Sequence, residues 1–237
     1  MRPRVLAILT GCLCSAWNSV AAQTDSVSDP AGKRVPALVW LVPVGIAVSA
    51  ALDPEAREWA LREHTRSLDR FAKLVNPLGT ARRLVPAMAI TYVGALLTHH
   101  ESLATGTLNT AAGYAASDLV ESVLKPLVGR ERPLVEGNSR RFHPFTANGD
   151  WHSFPSAHVA HIVSIAAAVS EQTHSRPISV LGDILVTLVG WDRVYEDQHW
   201  TSDVTATAVL SSLVSGATVR WLQSRQSHSS DASYDPR

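Results

Sequence analysis

The chain has 237 residues, with 21 Lys and Arg against 21 Asp and Glu and a formal net charge of zero. That balance excludes a general nucleic-acid binder, which carries a basic excess. Charged residues make up 18% against 46% apolar ones, below the roughly 25% charged residues of soluble domains, while a mean hydropathy of +0.04 excludes an all-apolar transporter.

Residues 1–22 read as a secretory signal: Arg2 and Arg4 open it, an apolar run follows from Val5 to Trp17, and small residues allow cleavage after Ala22. The alternative is a bacterial lipobox over Leu9–Cys12, which would leave a lipidated Cys12. Both cysteines, Cys12 and Cys14, fall in this segment, so cleavage after Ala22 leaves a mature chain without a disulfide. Residues 23–34 form a flexible polar lead. Val35–Leu52 is an uncharged run of 18 residues, close to the roughly 20 that cross a bilayer. An amphipathic helix follows over Asp53–Lys73, with Asp53 as N-cap and Pro54 at the first helical position.

Leu84–Thr98 is a second apolar stretch, closed by His99, His100 and Glu101 at a helix end. Residues 102–128 read as helical and rich in small side chains. Residues 130–153 are irregular, three more helices lie near 156–172, 178–191 and 200–222, and 223–237 form a disordered tail. No stretch alternates like a strand, and no repeat or linker divides the chain. The expected fold is therefore all-α, a single helical bundle of about six helices within one domain, residues 35–222. Small residues let helices approach closely, as in membrane bundles. The helices are short enough to suit a soluble bundle as well. Of the two, the expectation is a membrane-embedded bundle.

Three clusters place polar side chains where the helical pattern starts or stops. In the first, Lys125 ends a helix and Arg132 precedes Pro133 beyond the breakers Pro126 and Gly129. Arginine offers a forked contact to a phosphoryl group and lysine a point charge. The simpler reading is cations decorating a helix C-terminus.

In the second, Pro155, Ser156 and Ala157 open a helix just before His158. Unpaired N–H groups, a hydroxyl and a small side chain make an anion seat, and His158 could protonate a leaving oxygen there. A plain helix cap with a half-buried histidine is the alternative. In the third, His199 and Asp203 are four apart, one helix face if the segment is helical, with Arg193 six residues before His199. A carboxylate bonded to one imidazole nitrogen leaves the other free as a nucleophile. A surface loop with a His–Asp pair is the simpler reading.

The order and spacing of the three clusters, Lys125 to Arg132-Pro133, Pro155-Ser156-Ala157-His158, and Arg193 to His199 to Asp203, resembles the type 2 phosphatidic acid phosphatase (PAP2) superfamily, which includes bacterial acid phosphatases and vanadium haloperoxidases. The resemblance covers roughly residues 118–215. It implies a PAP2-like bundle and a phosphatase: His199 attacks phosphorus and becomes a phosphohistidine, Asp203 orients it, and His158 protonates the leaving group. Lys125, Arg132, Arg193, Ser156 and the N–H of Ala157 would hold the phosphoryl oxygens. No metal and no cofactor enter that scheme. Two departures stand out: Ala157 where the family usually has glycine, and Asp192 where serine is common. Asp192 is expected to point away or to pair with a nearby cation.

Zinc is a rival ligand, since His158 and His161, and His199 and Asp203, have usable spacings. Three flanking arginine and lysine cations would repel it, and His161 reads better as a packed residue. A vanadium haloperoxidase and a non-catalytic phosphate- or lipid-binding bundle are the other rivals. The expected substrate is a phosphomonoester or diphosphate, lipid-linked by preference, with a soluble periplasmic acid phosphatase as the alternative. Arg140, Arg141, Phe142 and Trp151 of the long loop could contact a head group. The expected partners are that substrate and a membrane of the cell envelope, and no nucleic acid.

Overall fold

The computed structural model describes residues 37–233, with side chains described for 41–227. The signal segment expected at 1–22 and the lead at 23–34 lie outside the described residues. The helices are α1 Ala37–Ala51, α2 Asp53–Arg62, α3 Arg66–Val75, α4 Ala81–Leu97, α5 Glu101–Val128, α6 Pro133–Glu136, α7 Ala157–Thr173, α8 Arg176–Tyr195 and α9 Thr201–Ser233. Short 3-10 turns lie at Asn76–Gly79 and Gly149–Trp151. The described residues contain no strand, and an isolated bridge joins Arg130 to Phe142. The fold is an all-α bundle, as the sequence pattern implied, but the described residues hold nine helices and not about six, in part because the stretch 53–73 is divided and a short helix forms at Pro133–Glu136.

Four local expectations need correction. The amphipathic stretch 53–73 is two helices, broken at Glu63–Thr65, because the Thr65 hydroxyl accepts from the Leu68 N–H at 3.2 Å and starts a new helix. Asp53 is not an N-cap: Leu52 holds that position, and the Asp53 side chain is buried against other elements. Pro155 lies ahead of the cap residue Ser156, not in the first helical position of α7, and the Phe154–Pro155 peptide is cis. The tail does not begin at 223, since α9 continues to Ser233. No glycine or proline interrupts Gln223–Ser233, and the Gln226 amide reaches Asn109 Oδ1 at 3.3 Å, so one face of the extension is held to α5.

Helix α7 is the centre of the bundle, packed by α5, α8 and α9. Helix α4 lies on α5, α1 on α9, and α2 and α3 on α8. Val159, Ile162 and Val163 of α7 meet Val186 and Val189 of α8 and Val204 of α9 in the core, each contributing about 1.5–3 kcal/mol by burial. Small residues set the helix spacing. At Gly113 of α5, a Cβ would lie 2.5 Å from the Ser215 hydroxyl of α9, so a larger residue would force the two helices apart.

The chain runs up α5, down α7, up α8 and down α9. This brings the C-termini of α5 and α8 to the same end of the bundle as the N-termini of α7 and α9. The loop 129–156 closes that end. Gly129, at φ 57°, ends α5 in the left-handed region that glycine adopts without strain, and its carbonyl accepts from the His143 N–H at 2.6 Å. Away from this end, the outward faces are strongly apolar. Leu41 and Val44 of α1, Ile90 and Leu97 of α4, Leu119 of α5 and Leu181 of α8 are all more than half exposed. Among the described residues no helix is long and apolar enough to cross a membrane.

Candidate active site

Three cations reach the loop-covered end from three elements. Lys125, in the last turn of α5, pairs with Glu121 one turn earlier. Arg132 follows in the loop, its Nε donating to Gly149 O at 3.0 Å and a terminal nitrogen to Gln198 Oε1 at 2.9 Å. Arg193, in the last turn of α8, is buried and donates from Nε to Asp192 Oδ2 at 2.9 Å. Asp192 thus pairs with its neighbouring cation, one of the two outcomes expected for it. Burial pushes the Asp192 carboxyl up while Arg193 opposes that shift, and its Oδ1 is buried without a partner. Arg132 is itself lowered, first by burial and then by Arg193, so the two guanidinium groups repel across the site. An anion between them relieves that repulsion.

The start of α7 faces this clamp. Ser156 occupies the N-cap position, yet its side chain does not cap the helix. Its N–H donates to the Thr207 hydroxyl at 2.9 Å, and its own Oγ is buried without a partner. A buried unpaired hydroxyl is uncommon and costs free energy. Together with the unpaired N–H groups of the first turn from Ala157 onward, it forms a seat for an anion.

Both imidazoles feel the same cations. His158, second residue of α7, is lowered to about 3, first by burial and then by Arg193, His161, Lys125 and Arg132. A dianionic phosphoryl group in the clamp opposes those charges and returns His158 towards its protonated form. Gly79 gives His158 its room: a Cβ there would lie 2.8 Å from His158 Cβ and 2.9 Å from its carbonyl oxygen. Burial holds His199 well below the usual histidine range, with Arg132, Lys125 and Arg193 pressing the same way. Its Nδ1 lies 2.5 Å from Ser153 O. A carbonyl only accepts, so Nδ1 carries the proton and Nε2 keeps its lone pair.

The expected His199–Asp203 hydrogen bond is absent. Helix α9 begins at Thr201, so His199 precedes it and the four-residue spacing does not put both side chains on one face. Asp203 accepts instead from the Ser153 hydroxyl at 2.5 Å, from the Trp200 N–H at 3.0 Å and from Arg130 at 2.5 Å. Ser153 therefore stands between them: its hydroxyl is held by Asp203 and its carbonyl holds His199. No local pattern in the sequence marks Ser153, Arg130 or Gly79 as part of the site. The only hint in the chain was that Arg130 and Ser153 bracket the long loop.

His161, one turn below His158, engages both ring nitrogens, with Gly79 O at 2.9 Å and Asp118 Oδ1 at 2.9 Å. Among the described residues no group of three or more His, Cys, Asp or Glu is placed to share a metal ion. In the covering loop, Arg141 pairs with Glu131 at 3.2 Å and with Glu136, and lies 5.4 Å over the Trp151 ring. It braces the loop and is not a free head-group contact. Phe142 and Phe145 are exposed, the latter by 82%.

The buried imidazole also sets a pH dependence of stability. The ordinary histidine value is 6.5 and the folded His199 lies well below it, so below pH 6.5 the unfolded chain binds a proton that the native chain refuses. The His199 contribution is fully present above pH 6.5 and declines as pH falls, by about 1.4 kcal/mol per pH unit. Urea unfolding between pH 6.5 and 5 is expected to show this loss, and a His199→Asn variant a shallower slope.

The described fold matches a crystal structure of a transmembrane PAP2 type phosphatidylglycerolphosphate phosphatase from Bacillus subtilis, with a TM-score of 0.59, 20% sequence identity, and coverage of 78% of this chain and 94% of that one. At that identity the likeness speaks to the fold alone. Among curated proteins no match was found. The PAP2 superfamily profile matches residues 106–227, more than half of the chain, and this stretch contains the cation clamp, the α7 seat and both imidazoles, so the chain belongs to the PAP2 superfamily.

Proposed function

We propose that this chain is a phosphatase that hydrolyses a phosphomonoester or diphosphate carried on a lipid, through a phosphohistidine at His199 and without a metal. The observation that carries the reading is a neutral, oriented His199 imidazole under three cations, beside a helix start whose Ser156 hydroxyl has no partner. Lys125, Arg132 and Arg193 take the equatorial oxygens with Ser156 and the N–H of Ala157. His199 Nε2 attacks phosphorus in line as the ester P–O bond breaks, and His158 delivers a proton to the leaving oxygen. A water then attacks the phosphohistidine, giving its proton to the now neutral His158 and releasing phosphate and His199. Acceleration comes from positioning and from charges already aimed at the transferring group.

The apolar outer faces of α1, α4, α5 and α8 support a membrane location, with the loop-covered end and the first turns of α7 and α9 in the aqueous phase. The signal-like segment at 1–22 supports export to the cell envelope, with this end facing the periplasm. A single assay series tests these points. Detergent-purified protein is offered phosphatidate, an isoprenoid diphosphate and p-nitrophenyl phosphate, with EDTA or orthovanadate added in parallel. The expected result is preferred turnover of a lipid substrate, resistant to EDTA and blocked by vanadate. Preference for the soluble ester, with protein recovered in a detergent-free supernatant, favours a soluble acid phosphatase. Restoration by zinc after EDTA removes the metal-free mechanism, and vanadate-dependent bromide oxidation points to a haloperoxidase.

A further inference from the structure

Helix α2 lies outside the residues matched to the family, 106–227, yet it grips the His199 loop on both sides. On the near side, Arg57 makes a forked pair with Asp197, Nε to Oδ1 at 2.8 Å and a terminal nitrogen to Oδ2 at 3.0 Å. On the far side, Asp53 accepts from the Ser202 N–H at 2.9 Å and from its hydroxyl at 2.6 Å. Asp53 and Arg57 are one turn apart and share a face of α2. The segment 197–202 is thus clamped at both ends, with His199 between.

Asp53 reaches the imidazole by a second route. Its Oδ2 also accepts from Arg130 at 2.8 Å. Arg130 donates in five directions: twice to Ser139 O, and once each to Ser202 Oγ, Asp53 and Asp203. Five bonds use every N–H of a guanidinium, a set no lysine can supply. Asp203 then holds the Ser153 hydroxyl, and the Ser153 carbonyl holds His199 Nδ1. Asp53, Arg130 and Asp203 are all at least nine-tenths buried, so solvent does not loosen the chain of bonds.

We infer that Asp53 and Arg57 of α2, with Arg130, are positioning residues for the nucleophile: they set where the His199 ring stands and which nitrogen faces phosphorus, without touching substrate. This rests on the phosphatase reading above. Such residues act on the chemical step and leave the cation clamp, hence substrate affinity, largely alone. A displaced imidazole is costly, since about 1 Å of misplacement removes on the order of 100-fold in rate.

The test uses the full chain in detergent with p-nitrophenyl phosphate, comparing wild type with Asp53→Asn, Arg57→Gln and Arg130→Lys. Arg62→Gln serves as control, because among the described residues Arg62 pairs only with exposed Glu58. Each of the three variants is expected to lose about 10- to 100-fold in kcat, with KM and the orthovanadate inhibition constant changed by no more than about threefold and Arg62→Gln at wild-type rate. Arg57 is partly exposed, so Arg57→Gln keeps the test alive if Asp53→Asn does not fold. Folded Asp53→Asn or Arg57→Gln protein with wild-type kcat overturns the inference, as does a loss confined to KM or to vanadate affinity. A wild type inactive on p-nitrophenyl phosphate, phosphatidate and an isoprenoid diphosphate alike overturns the phosphatase reading itself, which separates the two failures.

Discussion

His199→Asn abolishes phosphate release from every substrate tested, by at least about 10⁴-fold in kcat, the scale seen when a nucleophile is removed from a preorganised site. Asparagine keeps a side-chain donor near Ser153 O while removing the nitrogen that attacks phosphorus. The fold and the anion seat are therefore expected to survive. Orthovanadate and inorganic phosphate still bind in the variant, because Lys125, Arg132 and Arg193 come from α5, the loop and α8 and do not depend on His199. Rapid quenching of wild-type protein with labelled substrate labels the chain in an acid-labile, base-stable bond, and His199→Asn protein is not labelled. Normal turnover in the variant, or label that persists in it, removes His199 as the nucleophile.

His158→Asn carries the second largest effect, and its size depends on the leaving group. An alkoxide departs poorly without a proton, so a lipid phosphate is expected to lose about 10²–10⁴-fold in kcat, the range supplied by general acid catalysis. Nitrophenolate leaves unaided, so the first step with p-nitrophenyl phosphate changes little. The second step still needs a base for water, and His158 is that base. The variant therefore releases one equivalent of nitrophenol in a burst and then stalls as the phosphohistidine. The strongly lowered value of His158, about 3, requires the proton to arrive with the substrate's negative charge. In wild type, kcat/KM is accordingly expected to hold past the pH at which free His158 loses its proton and to decline only as the substrate monoanion becomes a dianion. A loss equal for both leaving groups, with no burst, removes His158 from proton transfer.

The helical bundle was legible in the chain because its signals are local. Apolar periodicity, the breaker at Gly129 and the small-residue faces of α5 and α9 each act within a few residues, whereas Pro126, expected to break the helix as well, lies inside α5, which runs on to Val128. The helices expected near 156–172 and 178–191 appear as Ala157–Thr173 and Arg176–Tyr195. Boundaries were less legible where a side chain or a distant contact decides them: the Thr65 hydroxyl breaks one helix in two, and Asn109 on α5 helps extend α9 to Ser233.

Residue identities at the site were also readable, because a phosphoryl clamp needs cations, a helix start and an imidazole in a recognisable order. The partnership around the imidazole was not. A spacing of four suggested that Asp203 touches His199, which requires both on one helix. Where α9 begins is set by Asp203 accepting from the Trp200 N–H, and by Ser202 anchoring on Asp53 from the other end of the chain. Periodicity and motif order are properties of near neighbours, so an all-α chain and the chemical inventory of its site follow from the residues in order. That Ser153 holds His199 and that α2 braces its loop come from folding, because Asp53 and Ser202 are 149 residues apart and meet only when buried together.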